Sequence, residues 1–152
     1  MKTTLIILGS LLIVHNVNAQ KVTEKDVPVK VKDAFSKKYP GAKVQWEKEG
    51  ADYEAEFDLN KIESSAVYDA NGMFKELEQE IKIAELPKTV ADYCTKNYKE
   101  HKIAEAAKIT DAAGKIMYEA EMSKGKEHFD VVFDDKGNFI KKSSPEQDHD
   151  KD

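Results

Sequence analysis

The sequence predicts an α+β fold: two tandem units of one helix plus about four antiparallel strands, with the helices layered on one sheet face. Two observations carry this. The motifs of the first half recur in the same order in the second. Within each copy, a helical apolar stripe gives way to segments in which apolar and polar residues alternate. Pro28, Val31, Phe35 and Tyr39 correspond to Pro87, Val90, Cys94 and Tyr98. Tyr53-Glu54-Ala55-Glu56 returns as Tyr118-Glu119-Ala120-Glu121, and Val67-Tyr68-Asp69-Ala70-Asn71-Gly72-Met73-Phe74 as Val132-Phe133-Asp134-Asp135-Lys136-Gly137-Asn138-Phe139. The first match is offset by 59 residues and the later two by 65, so the second copy holds six extra residues between Tyr98 and Tyr118. A period this long is the trace of a duplicated supersecondary unit.

The N-terminus reads as an export signal. Lys2 precedes an apolar run from Leu5 to Val14, and Val17-Asn18-Ala19 ends in a small-residue cleavage pattern, which places cleavage after Ala19. The run is short for a membrane span, and no Cys follows it to carry a lipid. The expected organisation is a signal peptide over 1–19, unit one over about 26–81, unit two over about 85–142, and a disordered acidic tail over 143–152. The address is the periplasm or the exterior.

The mature chain, from Gln20, holds about 133 residues, enough for a real core. Every basic residue is Lys, and losing Lys2 with the leader takes the net charge from −5 to −6. That balance argues against nucleic acid, which requires a basic footprint. The single Cys forbids an intramolecular disulfide, so packing must supply the stability.

Pro28 suits a helix start, where its missing N–H is not needed. Val31, Ala34, Phe35 and Tyr39 then form one stripe, and Pro40-Gly41 ends it. Val90, Tyr93, Cys94 and Tyr98 form the stripe behind Pro87. The period then falls to two. Val44 and Trp46 alternate with Gln45 and Glu47, and Tyr53, Ala55 and Phe57 alternate with Asp52, Glu54, Glu56 and Asp58. Asn71-Gly72 marks a hairpin, and Asp134-Asp135-Lys136-Gly137 a longer one. Ala112-Ala113-Gly114 and Lys124-Gly125 are further turns. A strand of this kind has one dry and one wet face. The wet face is expected to carry Glu54, Glu56, Asp58, Glu119 and Glu121, with Glu76, Glu78 and Glu80 in the same parity on their own strand.

No catalytic constellation appears. Cys94 falls on a helical apolar stripe, the place of a buried structural thiol. His101, His128 and His149 share no metal-ligand spacing with it or with one another. Asp69 and Asp134 resemble fragments of a calcium loop. Neither has the alternating oxygen ligands with a distal Glu, and Asp, Asn and Gly are what a tight turn needs. Metal ligands are therefore read as none, with Asp69 and Asp134 the only residues a calcium site would use. Trp46 shares parity with Val44 and belongs to the core.

The doubled pattern L/V-P-x-x-V-x-x-x-F/C-x-x-x-Y, then Y-E-A-E, then V-Y/F-D-x-x-G-x-F, behind a signal peptide, resembles the PepSY-like family of small periplasmic proteins, also described as β-lactamase-inhibitor-like. The resemblance covers Val27 to about Lys142. It implies tandem helix-plus-sheet units, a concave sheet that holds a protein partner, and a non-enzymatic binding or inhibitory role. Some relatives carry a calcium-regulated label, which Asp69 and Asp134 alone would serve here. The secreted inhibitors that give the fold its name are stapled by disulfides, which this chain cannot form, so inhibition of a β-lactamase itself is not expected. The sequence thus favours a periplasmic binding or inhibitor-type module with no cofactor. It would use Glu54, Glu56, Asp58, Glu119 and Glu121 against a protein or peptide, a basic one by their sign. The alternatives are a calcium-responsive protein and an enzyme.

Overall fold

In the computed structural model, residues 20–144 and the backbone of 146–147 are described. The leader, its cleavage site and His149 lie outside them. The elements run β1 (Gln20–Val22), α1 (Val29–Lys38), β2 (Val44–Glu49), β3 (Asp52–Leu59), β4 (Ile62–Asp69), β5 (Phe74–Glu80), a 3₁₀ turn (Ile83–Glu85), α2 (Lys88–Asn97), β6 (Lys102–Asp111), β7 (Ile116–Lys124), β8 (Glu127–Asp134), β9 (Phe139–Lys142) and β10 (Glu146–Gln147). The class is α+β. The chain forms two compact units, one of residues 20–58 and 65–75, the other of 59–64 and 76 onward. This boundary falls earlier than the repeat suggests. Glu76–Glu80 of β5 pair with Ala107–Asp111 of β6, and backbone pairing draws β5 into the second unit.

In the first unit β1 pairs with β2, and β2 with β3, all antiparallel. The carbonyl of Pro28 accepts the N–H groups of Val31 and Lys32 and so starts α1. The helix buries Val31 and Phe35. Phe35 packs edge-on against Trp46 at 5.4 Å and Phe57 at 5.0 Å between centroids, offset geometries that favour aromatic pairs. Ala55, fully buried between them in sequence, gives the helix room to approach. Trp46 is core, as its parity indicated.

The second unit repeats the recipe. The Pro87 carbonyl accepts from Val90 and Ala91, and α2 buries Val90 and Cys94. They pack with Ala106, Ala120, Met122, Phe129, Val131 and Phe133. The strands run antiparallel β5–β6–β7–β8, with β9 and β10 both on β8.

The hairpin turns correct the sequence reading. The turn after Asp134 is not longer than that after Asp69; they are the same turn. In each, the Asp N–H donates to the carbonyl four residues on, and the Gly N–H donates back to the Asp carbonyl. The Asp Oδ1 accepts two backbone N–H groups, from Asn71 and Met73 in one and from Lys136 and Asn138 in the other. Asp111 builds a third copy with Ala113 and Lys115.

A second correction concerns the tail. Ser143, expected in a disordered segment, donates its N–H to the Asp130 carbonyl and accepts the Asp130 N–H on Oγ. Glu146 and Gln147 then pair with β8. Residues 148–152 lie outside the described residues.

Candidate functional site

The face opposite each helix holds the candidate residues. In the first unit the register sets Glu47 opposite Glu54, Glu49 opposite Asp52 and Gln45 opposite Glu56. Lys21 of β1 stands opposite Glu47, and Lys75 pairs with Asp52 at 2.6 Å. The wet face expected here is only partly wet. Asp58 is exposed and Glu56 half-buried, but Glu54 is 2% exposed. Burial, with Glu47 and Asp52 adding like charge, pushes the Glu49 carboxyl up to about 7.

In the second unit three rungs cross β6, β7 and β8. Glu105 faces Glu121, which faces Asp130; Ala107 faces Glu119, which faces Val132; Ile109 faces Met117, which faces Asp134. Glu78 and Glu76 of β5 flank Ile109 and Asp111. This face too departs from the expectation. Glu119 is 7% exposed, and Glu76, Glu78, Ala107, Ile109, Met117 and Val132 are also buried. Glu121 alone of the expected pair here is half-exposed. The Glu-Ala-Glu part of the repeated Tyr-Glu-Ala-Glu motif is placed alike in both units, whereas Tyr53 is buried and Tyr118 half-buried. Its first Glu is buried, its Ala is fully buried and its second Glu is half-buried.

Burying these carboxylates disfavours their charged forms. The Glu105 carboxyl is pushed up to about 7 by burial, then by Glu121, Glu80 and Glu63, with His128 opposing. The Glu119 carboxyl is held well above the usual range by burial, then by Glu78 and Asp130, against the attraction of Lys141. At neutral pH this face presents a mixture of neutral carboxyls and carboxylates.

The other candidates resolve to structure. Cys94 is fully buried, and burial pushes its thiol up to about 11, the opposite of what a nucleophile needs. His101 approaches Glu127 at 3.4 Å and packs edge-on to Phe129. Asp69 and Asp134 each commit Oδ1 to two turn amides, and both carboxyls are held below the ordinary value, for Asp69 chiefly by the Met73 N–H and for Asp134 chiefly by the Asn138 side chain. Among the described residues, no group of three His, Cys, Asp or Glu side chains is placed to hold a metal ion.

Sequence reasoning missed Glu49, Glu105 and the apolar half of the second face. Glu49 lies beyond the Val44–Glu47 alternation. Glu105 was hidden by an irregularity in β6 between Ile103 and Glu105, which interrupts its period of two.

A family described as "Putative beta-lactamase-inhibitor-like, PepSY-like" matches this chain twice, over residues 14–75 and 58–141. Solved structures share the fold. A DUF2874 family protein from Bacteroides uniformis is 18% identical, with a TM-score of 0.65, over 76% of this chain and 87% of that one. A "putative periplasmic" protein from Bacteroides eggerthii is 16% identical, with a TM-score of 0.67, over 77% and 88%. A BLIP-like protein from Bacteroides fragilis is 21% identical, with a TM-score of 0.60, over 82% and 91%. No curated protein matches the chain. Among the described residues, no helix is long and apolar enough to cross a membrane.

Proposed function

Because this chain belongs to the PepSY-like, β-lactamase-inhibitor-like family, we propose that it is a non-enzymatic periplasmic module that holds a protein or peptide partner against its acidic sheet face. The observation that carries this reading is the rung Glu105–Glu121–Asp130, where acid faces acid across three strands. Directly opposed like charges weaken a sheet. A fold that keeps them, with the Glu105 carboxyl displaced from its ordinary pKa, has given up stability at a surface where something else is gained. A cationic partner would relieve the repulsion and restore ionisation. The export signal and the fold both support a periplasmic setting.

We also read the two units as tandem copies of one module. The matched burial of the two Glu-Ala-Glu segments, the matched Asp turns and the helices opened by Pro28 and Pro87 support this. In the first unit Glu56 and Asp58 are the accessible acids of the face, with Glu54 buried beside them; in the second Glu105 and Glu121 are accessible and Glu119 is buried. Calcium is the less favoured reading, because Oδ1 of Asp69 and of Asp134 already accepts two backbone amides each.

The test is capture from the native envelope fraction by the mature protein and by a variant reversed to Lys at Glu56, Asp58, Glu105 and Glu121. The expected result is a specific partner lost in the variant, with thermal stability retained. Equal capture by both proteins would refute the assignment of the face.

A further inference from the structure

We propose that the mature protein carries an N-terminal pyroglutamate formed from Gln20. The proposal rests on leader cleavage after Ala19, read from Val17-Asn18-Ala19, and is independent of the binding reading. Cleavage there makes Gln20 the first residue. A glutamine in that position carries a nucleophile and an electrophile on one residue. Its free α-amine attacks its own side-chain Cδ, and a five-membered lactam closes. The N–Cδ bond forms, the Cδ–Nε2 bond breaks, and the amide nitrogen leaves as ammonia. No oxidant or reductant takes part.

The surroundings of Gln20 suit this step. It is the first residue of β1 and stands directly opposite Lys48, with Lys21 next in sequence. Both Gln20 and Lys21 are exposed, so the ring closes without displacing packed groups. An α-amine titrates near ~7.7–8.0, so part of it is neutral near physiological pH, the only form that attacks. Closure removes one positive charge from the strand end. It leaves the favourable Lys21–Glu47 rung and the Val22–Trp46 rung in place, and it denies an aminopeptidase its free amine at the start of β1.

The experiment is intact-mass measurement and N-terminal peptide sequencing of the full chain, expressed with its own leader and recovered after export from its native host. The expected product begins at Gln20, is lighter by one ammonia than the open form, and is unreactive to amine-directed sequencing. The Gln20→Ala variant should be exported equally, begin at position 20 and show an open, readable amine. A wild-type chain beginning at Gln20 with a free amine would overturn the cyclisation. A chain beginning elsewhere would overturn the cleavage on which it depends.

Discussion

Replacing Gly72 with alanine should destabilise the protein far more than the same change at Gly114, although both residues end the same kind of turn. Each has a left-handed backbone, with φ of +81° at both positions, and a side chain there costs roughly 1–2 kcal/mol. At Gly114 that is the whole penalty, because a Cβ would meet nothing within 4 Å. At Gly72 a Cβ would lie 2.8 Å from the Lys30 carbonyl carbon and nearer still to its oxygen. The obstacle is backbone in the first turn of α1, which cannot rotate away. Overpacking of this kind adds about 1–3 kcal/mol. Gly114→Ala should therefore cost roughly 1–2 kcal/mol and Gly72→Ala roughly 2–5 kcal/mol, read from urea unfolding midpoints at unchanged slope. Equal losses in the two variants would refute the claim that the Asp69 turn is wedged against the start of α1.

The remaining predictions concern buried polar groups. The Tyr68 hydroxyl is buried without a hydrogen-bond partner among the described residues, and the corresponding residue of the second unit is Phe133. Tyr68→Phe should hold stability or raise it by about 1 kcal/mol; a loss of that size in urea melts would mean the hydroxyl is engaged. Acidification should stabilise the protein. The Glu49, Glu105 and Glu119 carboxyls are raised in the folded state, so it binds more protons than the unfolded chain between the unfolded value near ~4.3 and about 7. Their favourable contribution is full below that window and is lost as pH rises through it. The melting temperature should be higher at about pH 5.5 than at about pH 8, and a flat profile or the opposite slope would contradict the buried-carboxylate description. Millimolar calcium should leave the melting temperature unchanged, since a ligand that binds only the folded state would raise it; a rise lost in Asp69→Asn or Asp134→Asn would restore the calcium reading.

Much of the architecture was legible because it obeys local rules. Pro28 and Pro87 start helices, Phe35 and Cys94 sit at helical spacing behind them, and Ala55 and Ala120 mark the helix-facing parity of their strands. What failed was the inference from alternation to solvent. A period of two says that Glu54 and Glu119 share a face; it does not say how deeply that face is buried. Ile109, Met117 and Val132 make the second face of the later unit partly apolar, and burial there depends on strand pairings distant in sequence. Glu105 and Glu121 become neighbours only once β6 and β7 take their register. The equivalence of the Asp69, Asp111 and Asp134 turns is local and could have been read from the shared D-x-x-G spacing.

The most direct test of the central claim is calorimetric titration of a lysine-rich peptide into the mature protein, in buffers of different ionisation enthalpy. A cationic partner seated on Glu105, Glu121 and their neighbours should bind with release of protons, more tightly as pH rises through about 7, and should lose that affinity in the Glu105→Gln, Glu121→Gln double variant. Binding of equal strength in the variant, or no binding by the wild-type protein at any pH, would contradict the account.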